Sequence, residues 1–158
     1  MENKKYRMYV FVERHLSPID KGIQGAHAIV EYSCQSKVKD EYLQWAEYDK
    51  TIIMLNGGTV HDLIDIRNVL LDNDIPFSQF IESDMNMLTA IAVLVEEKVY
   101  ATMNLNDYIT KLLQIEKEKL LEIGQDDFLK YGEEKWVKLL GGENNRNLYE
   151  LIKSKRLA

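Results

Sequence analysis

Cysteine is nearly absent from this chain: Cys34 stands alone among 158 residues. No disulfide can form within one chain. That excludes a small disulfide-stapled scaffold and points to a reducing cytoplasm. Cys34 has no base beside it in sequence and reads as structural. Proline is almost as scarce, with Pro18 and Pro76 only, so there is no proline-rich linker. The histidines at 15, 27 and 61 lack the spacing of metal ligands, and neither a metal nor a cofactor is expected. No apolar run approaches the length of a membrane span. Met1–Lys5 leads straight into a strand and does not read as a signal segment. Phosphate loops, serine elbows and dinucleotide fingerprints are missing.

Positive charge is short in the first part of the chain. Residues 1–97 carry 9 Lys and Arg against 16 Asp and Glu, a net of −7, whereas residues 98–158 carry 11 against 10, a net of +1. The two sum to the −6 of the whole chain. An acidic platform suits a polyanion poorly, because nucleic-acid affinity rests largely on neutralised phosphates.

What is present reads as an α/β chain. Tyr6–Glu13 is rich in aromatic and β-branched residues, with Met8, Val10 and Val12 alternating with Tyr9 and Phe11. Both faces are apolar, so this is a central strand covered on both sides. Ser17 then caps a helix, with Pro18 at its first position and Asp20 at its third. The helix is rich in small residues: Gly22, Gly25, Ala26 and Ala28. Its core positions by helical spacing are Ile19, Ile23, Ala26 and Val30. Gln24 and His27 share one side. After a charged break at Lys37–Asp40, Glu41–Tyr48 reads as a short helix. Thr51–Asn56 is a second strand, ended by Gly57 and Gly58. Thr59 caps the next helix, with Asp62 three residues on and an apolar stripe through Val60, Leu63, Ile64, Leu70 and Leu71. Asn73–Pro76 stops it. Phe77–Ile81 is a third strand, Glu82–Met87 a loop, and Leu88–Val95 a buried fourth strand.

This order predicts a mixed four-stranded sheet with helices on both faces, over residues 1–97. Residues 98–158 read as an all-helical extension, with helices over Asp107–Ile123, Asp126–Leu140 and Leu148–Lys155, the second of them broken near Gly132. Their Leu and Trp face must pack on the sheet domain or form an interface, and a homodimer is expected through it.

In open α/β sheets, ligands favour the loops at the carboxyl ends of parallel strands. Those loops deliver His15, Ser17, Asn56 and Thr59, with Glu82, Asp84 and Asn86 joining if their loop meets the same edge. Two helix N-termini there would suit an anion or a carbonyl oxygen.

The pieces together resemble the peptidyl-tRNA hydrolase 2 fold family. The matching stretch is Lys21-Gly22-Ile23-Gln24-Gly25-Ala26-His27-Ala28, with Trp45 before the second strand and Glu82 to Ala92 leading through Thr89 into the last strand. The likeness covers about residues 6–96 and is closest to small bacteriophage relatives. It implies hydrolysis of the ester that links a peptide to the ribose of tRNA, in the cytoplasm of a host cell. By this resemblance the active groups are Lys21, Glu82 or Asp84, and Thr89. Ser17, Gln24, His27, Thr59 and Asn86 complete the binding surface. At the family's lysine position, seven residues before the histidine, this chain has Asp20. Two readings therefore stand: a peptidyl-tRNA hydrolase-like enzyme, or a binding module of the same fold that takes a nucleotide or a host protein. Neither involves a membrane.

Overall fold

A computed structural model describes residues 4–158; Met1–Asn3, at the head of the lead read above as lacking a signal segment, lie outside the described residues. The chain forms a mixed four-stranded sheet in the order β2-β1-β4-β3. The strands are β1 (Tyr6–Glu13), β2 (Ile52–Gly58), β3 (Ser78–Glu82) and β4 (Met87–Glu96). β1 runs parallel to β2 and antiparallel to β4, which is antiparallel to β3. Helix α1 (Pro18–Ser33) links β1 to β2 together with α2 (Lys39–Gln44) and a π turn at Trp45–Asp49. Helix α3 (Val60–Asp72) links β2 to β3.

The two faces of the sheet carry separate cores. Met8, Val10 and Val12 of β1, with Ala90 and Ala92 of β4, meet Ala28, Tyr32 and Trp45 from the α1 side. On the other face Tyr9, Phe11, Ile91, Val93 and Val95 meet Leu63, Ile66 and Leu70 of α3. The helical extension joins that second face. It runs through α4 (Glu97–Tyr100), α5 (Leu105–Ile115), α6 (Lys117–Ile123), α7 (Gln125–Leu140) and α8 (Glu143–Lys153). Trp136, Leu140, Leu148 and Ile152 are buried in the same core as the sheet residues. The extension thus covers part of its apolar face within the chain, while Ile115, Leu121, Leu129 and Leu139 stay exposed. Among the described residues no helix is long and apolar enough to cross a membrane.

Several sequence expectations are corrected. The expected core stripe of α1 faces water: Ile19 is 76% exposed, Ile23 48% and Val30 60%. The buried residues are Gln24, Gly25, Ala28 and Tyr32. Both stripes have helical spacing, so periodicity does not choose between them. Close approach does: a Cβ on Gly25 would meet Met54 Cε at 2.7 Å and Val10 Cγ1 at 3.3 Å, so only the small-residue face fits the sheet. Leu71 is likewise exposed, with Ile66 taking the buried position on α3. The charged segment at Lys37–Asp40 is helical, as a short 3₁₀ turn followed by the start of α2. β2 takes in Gly57 and ends at Gly58, two residues beyond Asn56. Helix α7 passes Gly132 unbroken; a side chain there would run into Ile109 of α5, so the glycine serves helix packing. The break falls instead at Glu116, between α5 and α6. Cys34 is exposed at the end of α1 and has no core role.

Gly57 is the extra residue where Val12 faces Asn56 but Glu13 faces Gly58. A Cβ there would lie 3.0 Å from the Val12 carbonyl oxygen and 3.2 Å from its nitrogen. Gly22, in contrast, has nothing within 4 Å. We expect Gly57→Ala to destabilise by about 1–3 kcal/mol, as overpacking against backbone does. Gly22→Ala should stabilise by about 1 kcal/mol through helix propensity. Urea denaturation of the two variants beside the wild type reads both signs.

Candidate functional site

The site begins with a bulge. Phe80 faces Ala90 while Ile81 faces Leu88, which leaves Thr89 as the extra residue in β4. A bulge interrupts alternation and re-aims a side chain. Thr89 is fully buried and turns toward α1, where its hydroxyl donates to Gln24 Oε1 at 3.2 Å. The Phe80 carbonyl is a second acceptor at 3.3 Å. Gln24 Nε2 in turn donates to Glu82 Oε2 at 2.8 Å. The amide orientation follows from its neighbours, since a carboxylate only accepts and needs the NH2 side. One line of hydrogen bonds therefore crosses from β4 through α1 to the end of β3. Gln24 is 7% exposed, and Glu82 is half-buried.

Other expected residues join this line in different degrees. Lys21 lies three residues before Gln24 and heads the same face as Gly25, Ala28 and Tyr32. It is half-buried, and among the described residues its ammonium enters no ion pair. His27 is exposed and stacks its ring on Phe80, with centroids 4.4 Å apart and planes 13° from parallel. Ser17 is engaged as the helix cap. Its hydroxyl accepts from the Asp20 N–H at 3.1 Å and donates to the Asp20 carboxylate at 2.6 Å. Asp20 is thus tied back to Ser17. Asp84 and Asn86 sit exposed in the β3–β4 turn, Asn86 with a left-handed φ of 47°, and neither reaches the Gln24 line. Thr59 follows β2 at the sheet edge of the β1 exit loop, where the Arg14 N–H donates to the Gly58 carbonyl at 2.8 Å, but its own bonds go to Asp62 and none to the Gln24 line. It caps α3, whose core lies on the opposite face of the sheet from that of α1.

Sequence reasoning missed a second polar arrangement. Glu13, 3% exposed at the end of β1, accepts from the His15 N–H at 2.6 Å and faces His15 Nδ1 at 2.7 Å. An ionised carboxylate only accepts, so Nδ1 carries the proton and Nε2 is left as an acceptor. Arg14 Nε donates to it at 3.1 Å. The signal was a carboxylate two residues before a histidine at the exit of a buried strand. Beside it, the loops after β1 and β2 lead to helices on opposite faces, as at a switch-point crevice.

No protein-family model matches the chain, and no curated protein matches it. The arrangement has to be read from its own geometry.

Thr59 and Asp62 close a reciprocal box. Asp62 Oδ2 accepts from the Thr59 hydroxyl and from its N–H, both at 2.7 Å. The Thr59 hydroxyl bond, followed by the N–H bond, holds the Asp62 carboxyl below the ordinary aspartate range. A depressed carboxyl contributes stability above its unfolded pKa and loses it as pH falls through the folded value. Thr59→Ala removes the cap and should lower stability at neutral pH. The gap to wild type should narrow as pH drops below about 4. Thermal melts of both proteins at a series of pH values check this.

Proposed function

We propose that the chain is a peptidyl-tRNA hydrolase-like protein that cleaves the ester between a peptide and the ribose of tRNA. The observation that carries the reading is the hydrogen-bonded line from Thr89 through Gln24 to Glu82. It joins the threonine, amide and acidic groups that the resemblance implies, from three elements distant in sequence. Lys21, three residues before Gln24 on α1, supplies the cation.

In this mechanism Gln24 holds one oxygen of Glu82, and the other accepts a proton from water. The water oxygen bonds to the ester carbonyl carbon, and the charge that develops on the carbonyl oxygen is met by the Lys21 ammonium. Collapse breaks the bond to the ribose oxygen, which takes the proton back from Glu82. The products are a free peptide acid and a tRNA with its terminal hydroxyl restored. Thr89 keeps the Gln24 amide turned the right way. His27, on its Phe80 platform, offers a flat surface for a base or sugar. Asp84 and Asn86 stand at the rim. The setting that goes with this reading is the cytoplasm, that of the host for a phage protein.

A second reading has its own support in Asp20 and in the net −7 of residues 1–97. Both disfavour a polyanion. On that reading the same surface binds a nucleotide or a host protein without turnover.

The assay is release of peptide from peptidyl-tRNA by wild type, Lys21→Ala and Glu82→Gln. We expect kcat/KM to fall by about 10²-fold or more in each variant. Absence of turnover by wild type at any enzyme concentration would sink the hydrolase and leave the binding module.

A further inference from the structure

One edge of the sheet is covered and the other is open. Along β2 the chain's own last residues pair: the Asn56 N–H donates to the Arg156 carbonyl at 2.8 Å, and the Ala158 N–H to the Met54 carbonyl at 3.0 Å. Along β3 no described segment does the same. The Phe80 carbonyl points toward β4, where Thr89 reaches it. By strand alternation the N–H and C=O of Gln79 and Ile81 point outward. An open edge is a template for another strand.

A cleft of about 620 Å³ adjoins that edge, between the end of α1 and the outer turn of α3. Two of its lining side chains hold buried polar atoms with no hydrogen-bond partner, Arg67 Nε and Gln79 Oε1. One is a donor and one an acceptor. Buried orphan groups are rare in folded proteins and costly. Glu31 lines the same cleft, yet the Arg67 guanidinium enters no ion pair with it or with any other described residue. Arg67 and Gln79 both line the cleft with flexible side chains.

We propose that β3 and this cleft bind an extended acidic peptide from a partner protein by strand addition. The peptide main chain pairs with Gln79 and Ile81. One of its amide N–H groups satisfies Gln79 Oε1, and an aspartate or glutamate side chain takes the Arg67 fork. Main-chain pairing supplies affinity and the carboxylate supplies selectivity, as in other edge-strand recognition. The exposed Leu71 and Ile81, at 55% and 45%, give the peptide apolar rims. This surface is the outer edge of the same strand that ends in Glu82, and it does not depend on the hydrolase reading.

The probe is a fluorescein-labelled peptide, Thr-Val-Thr-Asp-Thr-Val-Thr, blocked at its C-terminus and read by fluorescence anisotropy against the full chain. Saturable binding is expected below a concentration on the order of 1 mM. Arg67→Met, which keeps the apolar stem, should weaken it about tenfold. Replacing the peptide's aspartate by asparagine should weaken it similarly. Ile81→Pro removes an edge N–H where strands tolerate proline and should abolish binding, as should N-methylation of alternate peptide amides. The N-methylated probe decides the matter even if the proline variant fails to fold. No binding by the folded wild type overturns the proposal. So does binding that ignores Arg67→Met and the methylated amides. A concentration-dependent dimer in sedimentation that Ile81→Pro dissolves, with no peptide bound, assigns the edge to a second copy and overturns it too.

Discussion

Gly25 rests on Met54 and Val10, and that contact decides how near α1 comes to the sheet. The approach brings Gln24, the next residue back, within hydrogen-bond reach of a threonine on β4. A larger residue at 25 would lift the helix, and the line from Thr89 to Glu82 would open at its centre. The alanine at 28 extends the same requirement one turn on, where Ser78 donates its hydroxyl to the Ala28 carbonyl at 2.5 Å. Small residues here serve position more than area.

The sheet divides the molecule into two unequal layers. On the α1 side Gly25 and Ala28 of the helix lie on Met8, Val10 and Val12 of the sheet, with Tyr32 and Trp45 filling the corner. The other side is built of leucine, isoleucine, valine and Trp136, and the helical extension belongs to it. Within that extension Trp136 ties α7 to the segment before α5 by donating its indole N–H to the Met103 carbonyl at 2.8 Å. β1 and β4 are buried on both faces because each layer needs them, and this explains their continuous apolar character.

Features set by neighbouring residues were legible in the sequence. The strand at Tyr6–Glu13, the Ser17 cap and the Thr59–Asp62 box all follow from residues a few positions apart. The mixed sheet was legible too, from the order of elements. Features set by tertiary contact were not. Two stripes of α1 share one helical period, and only the fit of Gly25 to the sheet selects between them. Gly132 looks like a break in sequence and is a close contact with α5 in space. Of the site, Gln24, Glu82 and Thr89 were named and come together, but their alignment depends on a one-residue bulge that no local pattern announces. Asp84 and Asn86 were grouped with them by nearness in sequence, and the turn leaves both exposed and outside the hydrogen-bonded line. Thr59 was grouped by its sheet edge and sits there beside the β1 exit loop, but its hydroxyl is engaged by Asp62 rather than by the Gln24 line.

Docked α1 keeps Met8, Val10 and Val12 of β1 and Ala90 and Ala92 of β4 out of water, although the helix itself contributes mostly glycine and alanine to the contact. Local opening free energy follows the area and the hydrogen bonds lost. Lifting α1 therefore costs what the sheet face beneath it exposes, not what the helix alone exposes. The Gln24 line crosses that seam. Its hydrogen bonds are made and broken with the docking of one helix, so the candidate site and that packing layer share a single equilibrium.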